Sequence, residues 1–439
     1  MDFLYDIFSY LEHLTQGMTL EKLASIFWFL FFIEIPRYYL LDVFVLIRRF
    51  CYRGVRRQKE VVARIELYTK NPFVTIIVPG KDEGKNIYKL TESLREQTYR
   101  NFELVVVDDG SDDNTKLICE SLEANGLIDR FYSVDERGGK ASAANLALLN
   151  NKSDVIVHLD ADSSLDKDAL EQILIPFYYH DNVGAVGGCV KVRNADDTFC
   201  TLMQSMEYLE SIQLGRTVTS ELNLFRTISG AFGAFRTDVL NQIGYWDVGP
   251  GLDGDITQKV RKSGYKVVFN PKAICLTAVP TSFRKLYKQR LRWGKSLVRF
   301  RLRKHSNVLD FRYANFRIMN FLTNLDNLVF SLFFDTLWIF YMLNFLVDQP
   351  YGLLDLLVLK FLITIPLAVL SFLLSMSLSE RWKEEFKMII ATPMQSLYSG
   401  YFLRITRIIA SFKEFFFFSS YRDKWNPKKS SRVARDERL

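Results

Sequence analysis

The sequence from residue 72 to residue 160 alternates short apolar runs with amphipathic stretches, and this alternation constrains the fold more than any other feature. The runs with the pattern of strands are FVTIIVPG (73–80), FELVVVDDG (102–110), IDRFYSVDE (128–136) and DVIVHLD (154–160). The stretches with a helical spacing of apolar residues are 85–97, 114–126 and 140–150. Apolar strands that alternate with such helices predict an α/β domain with a mostly parallel sheet, covered by helices on both faces.

Carboxylates follow two of these strands at the point where each strand ends. Asp108 and Asp109 end the second run, and Asp160 and Asp162 end the fourth, in HLDADSSLD (158–166). Because ligands of parallel sheets collect at the carboxyl ends of the strands, we expect all four side chains in one crevice. Two anions one residue apart repel each other unless a cation lies between them or water screens both.

The D-x-D spacing of Asp160 and Asp162 suits a divalent cation, Mg²⁺ or Mn²⁺, whose other ligands are water and a substrate diphosphate. An ordinary acidic turn after a strand is the alternative. Asp109, followed by Gly110 and Ser111, is placed to accept a hydrogen bond from a base or a ribose, or else to cap the next helix.

A glycine-rich turn, RGGKASAAN (137–145), opens the third predicted helix. Its backbone N–H groups, the helix dipole and Lys140 favour an anion at this position. The spacing matches neither the P-loop G-x-x-x-x-G-K-[ST] nor the dinucleotide-binding G-x-G-x-x-G. An ATPase or a dehydrogenase is therefore disfavoured.

Long apolar runs flank the α/β region. The run 20–47 is long enough to cross a bilayer of about 30 Å, but it contains Glu34, Arg37 and Asp42. Since charges at such depth face protein or water, we expect either one kinked helix facing protein or a shorter span with an interfacial part.

The C-terminal apolar runs predict further spans. Segments 326–347 and 352–376 have the length and composition of a pair of spanning helices joined by DQPY. Segment 388–418 is also long enough, but Arg404 and Arg407 interrupt it, so the number of crossings stays open.

The charge distribution indicates a membrane and not a nucleic acid. The net charge is +7, and Lys and Arg concentrate beside apolar runs, at 48–59 and 422–438. This pattern follows the positive-inside rule, whereas nucleic-acid binding requires a basic face on the α/β domain itself. The five cysteines lack the spacing of a metal site, which predicts reduced core residues. The acidic, amphipathic N-terminus does not predict a cleavable signal peptide.

These observations predict a multi-pass protein of the inner (plasma) membrane whose α/β domain lies in the cytoplasm, in contact with the lipid bilayer. Segment 279–305 mixes Leu, Trp and Phe with closely spaced Arg and Lys, as in helices that lie in a membrane interface. The predicted parts are an amphipathic and transmembrane segment (1–58), the α/β domain (72–280), interfacial helices (281–325), transmembrane helices (326–421) and a basic tail (422–439).

Eight motifs occur in an order and spacing that resemble the processive family-2 glycosyltransferases, which include cellulose, hyaluronan, chitin-oligosaccharide and poly-N-acetylglucosamine synthases. They are VPGKDE, VVVDDGS, GGKASAAN, DADSSLD, VGAVGGCV, ISGAFGAFR, GLDGD and QRLRW, and they cover residues 72–305. The flanking apolar segments are similar as well. The resemblance implies a GT-A-like, Rossmann-like domain that transfers a sugar from a UDP-sugar donor, with inversion, to a growing polysaccharide acceptor. That polymer would leave through a membrane channel formed by the same chain.

For the donor, the resemblance implies that Asp109 contacts the nucleoside with Glu83 beside it and that Lys140 lies near the diphosphate. Asp160 and Asp162 are implied as the pair that holds the metal and the diphosphate, with Asp162 the direct ligand. This arrangement agrees with the general preference of hard divalent cations for carboxylate oxygen.

For the acceptor side, the resemblance implies that the QRLRW residues Gln289, Arg290 and Arg292 clamp the diphosphate. Trp293 is implied to stack on the acceptor sugar. The chemistry agrees, because sugar faces carry apolar C–H patches that favour aromatic rings, and Arg suits phosphate. MEYLE (206–210) also resembles a family helix beside the acceptor, with a plain amphipathic helix as the alternative.

One motif departs from the family pattern. The family's general base lies in a T/G-E-D tripeptide, where this chain has Gly251-Leu252-Asp253-Gly254-Asp255. Counting back from SGYKVVFNP (263–271) places the family Asp at Asp253 and the Glu at Leu252. Asp253 is therefore implied as the base, with Asp255 if the loop has shifted and helix capping as the other reading. The absence of the family Glu at Leu252 affects the expected acceptor linkage and sugar preference more than the expected class of reaction.

Three functions stay open from the sequence. The first is a processive synthase that makes and exports an exopolysaccharide of N-acetylglucosamine or glucose. The second is a transferase that places one sugar on a lipid-linked acceptor, and the third is a transporter or scaffold whose α/β domain only binds a nucleotide. Chain size favours poly-N-acetylglucosamine or chitin-type synthases over cellulose synthase. A small accessory membrane subunit is compatible with the polar residues of the first apolar run.

Overall fold

The computed structural model describes residues 19–348, 352–423 and 426–437, together with Tyr5, Ser9, Tyr10, Glu12, Leu14 and Gln16. Most of the predicted amphipathic N-terminus and most of the predicted DQPY connection lie outside these residues.

One sheet organises the α/β domain. Its strands are β1 (Val74–Gly80), β2 (Phe102–Asp109), β3 (Arg130–Val134), β4 (Val155–Leu159), β5 (Ser163–Leu165), β6 (Val183–Val192), β7 (Phe232–Arg236) and β8 (Lys266–Thr277). The order across the sheet is β3-β2-β1-β4-β7-β6-β8-β5. The four predicted strands are thereby confirmed as β1 to β4.

The sheet is mixed, but six of its eight strands, β1, β2, β3, β4, β6 and β8, run in one direction, in line with the predicted mostly parallel sheet. Strands β3, β2, β1 and β4 are parallel, as are β6 and β8, but β7 runs antiparallel to both β4 and β6. The short β5 is antiparallel to β8. The apolar runs up to residue 160 account only for β1 to β4, because the strand direction beyond β4 depends on how the later segments return to the sheet.

Helices cover both faces of the sheet. Those of the domain are Gly84–Arg95, Thr115–Ala124, Lys140–Leu146, Ala169–Leu174, Pro176–Tyr179, Phe199–Glu207, Gly215–Glu221, Thr237–Ile243 and Leu252–Lys262, with a π-helical segment Tyr208–Leu214. Alternate residues of β1 enter different cores: Ile76 and Val78 face one, and Ile77 faces the other. This two-sided burial explains why the strands are apolar throughout.

The remaining helices form a bundle beside the domain. They are Leu20–Ile26, Leu41–Cys51, Arg53–Lys70, Phe283–Ser296, Ile318–Leu328, Phe334–Asp348, Leu353–Met376, Trp382–Glu385, Thr392–Leu397, Arg404–Phe417 and Lys428–Asp436. π-Helical segments are Leu30–Glu34, Pro36–Leu40, Leu297–Lys304, Val329–Phe333 and Tyr398–Leu403. Short 3₁₀ segments are Ser306–Leu309, Phe386–Ala391 and Ser419–Arg422.

Within the described ranges, two helices are long and apolar enough to cross a membrane, Ile318–Asp348 and Leu354–Met376. They coincide with the predicted pair at 326–347 and 352–376, although the first begins earlier. In the most apolar 18-residue stretch of each helix, only 6% of the first and 22% of the second is buried inside the protein. The predicted span at 20–47 does not meet the same test among the described residues, because charges interrupt it.

Two charges of this first apolar run, Glu34 and Arg37, are paired with other helices, and Asp42 is buried. Arg37 forms two hydrogen bonds to Asp326, at 2.8 and 3.1 Å, and Arg404 donates to Glu34 at 2.5 Å. The helix is irregular around Pro36, where two π-helical segments meet. The charges therefore face protein, as expected for a kinked helix.

Candidate active site

Asp109 holds the glycine-rich turn at the carboxyl end of β2. Its carboxylate accepts hydrogen bonds from the backbone N–H groups of Gly138 (2.7 Å) and Gly139 (2.9 Å). Burial raises the pKa of Asp109 and outweighs these hydrogen bonds, which lower it. Gly139 has φ 96°, a left-handed conformation that favours glycine. The turn is thus fixed beside the position where the sequence places a nucleoside.

Lys140 and Asp160 connect the glycine-rich turn to the D-x-D turn. Lys140 begins the helix after the turn, and its ammonium group forms an ion pair with the Asp160 carboxylate. Burial raises the pKa of Asp160, but the positive charge of Lys140 outweighs it, so the net pKa is lowered. Asp160 is therefore ionised and paired across the crevice.

Asp162 has a different environment. Its carboxylate has no hydrogen bond or ion pair within the described part of the chain. Burial, followed by the negative charges of Asp160 and Glu83, raises the pKa of Asp162 to about 6. Glu83 lies on this side of the crevice: it accepts a hydrogen bond from Asn86 at 2.6 Å, and the charges of Asp160 and Lys140 act on it. The predicted role of Glu83 beside Asp109 at the nucleoside stays a prediction.

Asp253 faces the same crevice from the first turn of helix Leu252–Lys262. Its carboxylate packs against Gly230, where an added Cβ would lie 2.5 Å from Oδ1. Burial raises the pKa of Asp253, the Lys140 charge lowers it, and the Asp160 charge raises it again, leaving a net increase. The side chain is therefore held within electrostatic reach of the Lys140–Asp160 pair.

His158 supports Gly230 from behind. Its Nδ1 lies 2.7 Å from the Gly230 carbonyl oxygen, and because a carbonyl only accepts, Nδ1 carries the proton. Burial lowers the pKa of His158 to about 4, so the ring is neutral. His158 is a core histidine, as its position within β4 indicates.

Asp255, the other candidate base, has different partners from Asp253. Only 4% of the residue is exposed, and its carboxylate accepts hydrogen bonds from Lys304 and His305, each at 2.7 Å. These two contacts lower the pKa of Asp255 against the opposing effect of burial. The two candidate bases therefore have separate environments, and only Asp253 faces Asp160.

The QRLRW residues divide between two sites. Arg290 donates to Glu207 at 2.8 Å, and its guanidinium lies 4.3 Å from the centre of the Trp293 ring. Burial lowers the pKa of Arg292, and the opposing charges are those of Asp423, Asp160 and Asp253, so this arginine lies within electrostatic reach of the crevice. Gln289 has a buried Oε1 that accepts no hydrogen bond from the described residues.

A cavity of about 270 Å³ opens beside Arg290 and Trp293. Its wall includes Gly254, next to Asp253, and residues of the apolar helices; the polar members are Glu207, Thr227, Ser296, Arg301, Asn327, Ser331 and Arg407. The cavity therefore connects the neighbourhood of Asp253 with the bundle.

Three contacts were missed by the sequence interpretation. Glu207 lies in MEYLE, which resembles a family helix beside the acceptor, but its contact with Arg290 was not predicted. Gly230 lies in ISGAFGAFR, where the glycines signal close packing. The basic tail gave no signal, yet Ser430 donates to the Gly138 carbonyl at 2.6 Å, and helix Lys428–Asp436 lies against the glycine-rich turn.

Comparison with known proteins assigns the family. The sequence model described as glycosyl transferase family 2 matches residues 75–244. The poly-β-1,6-N-acetyl-D-glucosamine synthase of Staphylococcus aureus strain COL is 28% identical over 278 residues, which are 62% of this chain and 64% of that protein. Residues 75–244 therefore form a glycosyl transferase family 2 domain.

Further comparisons agree with this assignment. The poly-β-1,6-N-acetyl-D-glucosamine synthase of Staphylococcus epidermidis is 28% identical over 223 residues, 51% of this chain and 54% of that protein. The mannosyltransferase PcManGT from Pyrobaculum calidifontis, solved with GDP-Man and Mn²⁺, has a TM-score of 0.52 at 21% identity and covers 86% of this chain and 99% of its own. This family-2 domain therefore has a GT-A-like fold. The chain spans less than two thirds of the curated synthases it matches.

The D-x-D carboxylates of this family-2 domain fit a divalent cation. The Asp162 carboxylate has no partner among the described residues, and the negative charges of Asp160 and Glu83 oppose its ionisation. A cation there would relieve that repulsion. Among the described residues no group of three or more His, Cys, Asp or Glu side chains could hold a metal ion. The remaining ligands would therefore come from water and a bound diphosphate, as is usual for Mg²⁺.

Proposed function

We propose that this chain is a membrane-bound, inverting glycosyltransferase that uses a UDP-sugar donor, with Asp253 as the general base. The observation that carries the proposal is the placement of Asp253 opposite the Lys140–Asp160 pair, next to a cavity lined by Trp293. In the reaction the acceptor hydroxyl attacks the anomeric carbon and its proton passes to Asp253. The bond between that carbon and the diphosphate oxygen breaks, and UDP leaves.

The donor would lie along the carboxyl edge of the sheet. Asp109 and the turn that it holds face the nucleoside, and Lys140 and Arg292 bind the diphosphate by charge. Asp162, with Asp160, would hold Mg²⁺ or Mn²⁺, which neutralises charge on the departing diphosphate. The raised pKa of Asp253 suits a base, because a carboxylate with a higher pKa accepts a proton more readily.

The acceptor would enter through the cavity beside Trp293. The exposed ring, 43% accessible, offers an apolar face to a sugar, and Arg290 under it fixes its orientation. The relatives named as poly-β-1,6-N-acetyl-D-glucosamine synthases favour N-acetylglucosamine as the sugar and a polymer as the product.

Membrane placement and export complete the proposal. The two apolar helices have lipid-compatible exposed surfaces. The cavity reaches the first of them, Ile318–Asp348, at Asn327 and Ser331, so a growing exopolysaccharide could pass from Asp253 into the bundle. We place the protein in the plasma membrane as a multi-pass protein with the catalytic domain in the cytoplasm. A small accessory membrane subunit is compatible with this arrangement, and no nucleic acid takes part.

The test uses the purified full-length protein with UDP-N-acetylglucosamine, UDP-glucose or UDP-glucuronate. We expect UDP release with one donor in the presence of Mg²⁺ or Mn²⁺ and its loss on chelation. Asp253→Asn should retain UDP binding and lose turnover by at least about 100-fold. Turnover that survives in this variant would refute the assignment of the base.

The products decide between polymerisation and single transfer. A ladder of sugar lengths extracted from the reaction supports the processive synthase. One discrete added sugar on a lipid acceptor would refute processivity while leaving the transferase chemistry intact, and UDP binding without release would favour the transporter or scaffold.

A further inference from the structure

The loop that carries Asp253 is seated on one continuous helical segment. This segment, Leu297–Lys304, extends directly from helix Phe283–Ser296, which carries Arg290, Arg292 and Trp293. The base and the acceptor-side residues are therefore joined through a single element.

Phe300 sets the spacing between the segment and the loop. An added Cβ at Gly251 would lie 2.6 Å from its ring, and one at Gly254 would lie 3.3 Å from it. Gly251 also has φ 91°, a conformation that favours glycine. The two glycines on either side of Asp253 therefore allow the backbone to approach the aromatic ring closely.

Polar contacts hold the same loop at both ends. Arg299 donates to the Pro250 carbonyl, and Lys304 bridges Asp247 (2.6 Å) and Asp255 (2.7 Å). Lys259 donates a further hydrogen bond to Asp247, at 2.8 Å. The loop from residue 247 to residue 255 is thus bonded at its start, middle and end, mainly to segment 297–305.

His305 provides a second buried contact to Asp255. Its Nε2 lies 2.7 Å from Oδ1, and because a carboxylate only accepts, Nε2 donates. The ring is 4% exposed, and its Nδ1 has no partner among the described residues. Burial lowers the pKa of His305 in spite of Asp255, so a neutral ring that donates from Nε2 agrees with the geometry.

We propose that Asp255, Lys304 and His305 form a positioning clamp that keeps the Asp253 carboxylate in register with the acceptor side of the site. The clamp does not touch substrate. It fixes the first turn of helix Leu252–Lys262 relative to the helix that carries Trp293, so that Asp253 meets the acceptor hydroxyl. This inference rests on the proposed function, and it assigns to Asp255 a role different from that of a base.

A clamp of this kind should affect rate more than binding. Transfer requires the base within hydrogen-bond distance of the hydroxyl, and a displacement of about 1 Å can cost on the order of 100-fold. The proposed UDP contacts at Asp109 and Lys140 lie on the opposite side of the crevice, and Arg292 belongs to helix Phe283–Ser296, which contains none of the three clamp residues. Donor affinity should therefore be independent of the clamp.

The test compares Asp255→Asn, His305→Gln, Lys304→Met and Lys304→Arg in the full chain. We expect kcat for transfer to fall on the order of 10- to 100-fold in the first three, with UDP affinity and donor KM within about twofold. Lys304→Arg should recover most of kcat because it restores the charge.

Asp310→Asn is the matched control, because it removes a carboxylate from an exposed pair with Arg312 a few residues beyond the clamp. It should leave kcat unchanged. Wild-type kcat in all the clamp variants, or an equal loss of UDP affinity and kcat, would overturn the clamp.

Hydrogen exchange separates the clamp from the proposed function. Faster exchange of residues 247–255 in the clamp variants, without change at β1, is expected whether or not the wild type transfers sugar. Unchanged exchange would refute the clamp. An inactive wild type with this exchange pattern would refute the proposed function alone.

Discussion

Arg290 donates a hydrogen bond of 2.8 Å to Glu207 while its guanidinium lies 4.3 Å from the centre of the Trp293 ring. The Tyr398 hydroxyl donates to the same carboxylate oxygen at 2.7 Å. Glu207 therefore neutralises a buried cation and fixes the aromatic side chain above it. This arrangement assigns Arg290 to the wall of the cavity and leaves Arg292 as the QRLRW arginine that faces the acidic crevice.

Glu207→Gln should destabilise the protein. Arg290 is 9% exposed, and removing its partner leaves a buried, uncompensated charge, which costs about 3 kcal/mol. Chemical unfolding of the purified protein measures this loss. Asp196→Asn removes the acid of an exposed pair with Lys387 and should cost less than about 1 kcal/mol. Equal effects of the two variants would contradict the buried-pair interpretation.

Gly230→Ala should displace Asp253, because the new Cβ would lie 2.5 Å from its Oδ1. We expect turnover to fall on the order of 100-fold while UDP affinity is unchanged. Steady-state UDP release measures the turnover, and equilibrium UDP binding measures the affinity. Gly54→Ala is the control, since nothing lies within 4 Å of a Cβ there. Full activity of Gly230→Ala would show that Asp253 tolerates displacement or is not the base.

Asp162→Asn should weaken Mn²⁺ binding by about 10- to 100-fold, because its carboxylate has no competing partner in the described chain. Electron paramagnetic resonance of Mn²⁺ in the presence of UDP measures the affinity without turnover. Asp181→Asn, an exposed carboxylate of the same domain, should leave it unchanged. Equal affinity of wild type and Asp162→Asn would remove Asp162 from the cation site.

The rate of transfer should have an acid limb set by Asp253. A general base works only when deprotonated, so activity is lost as the pH falls through its pKa. Burial, together with the Asp160 charge, raises that pKa above the ordinary value of 3.8. A profile of kcat against pH should therefore decline at a pH higher than an exposed Asp would give. A rate that stays flat down to pH about 4 would contradict this environment.

The sequence predicted the first four strands and the helices between them because these elements depend on local periodicity. It also placed Asp109, Asp160 and Asp162 at one edge, since parallel strands bring their carboxyl ends together. It did not predict the antiparallel β7, whose direction depends on the path of the chain after residue 199. It could not separate Asp253 from Asp255, because both lie in the first turn of one helix.

By itself, the sequence determined an α/β domain with carboxylates at the carboxyl edge of its sheet and apolar helices beside it, because alternation of apolar and polar residues fixes strands, helices and their buried faces. Only the tertiary structure decided which side chains meet. Asp253 faces Lys140 whereas Asp255 is bound by Lys304 and His305, and Arg290 turns to Glu207 while Arg292 faces the crevice. The physical reason is that the environment of a charge is set by groups distant in the chain, and burial strengthens each such pairing.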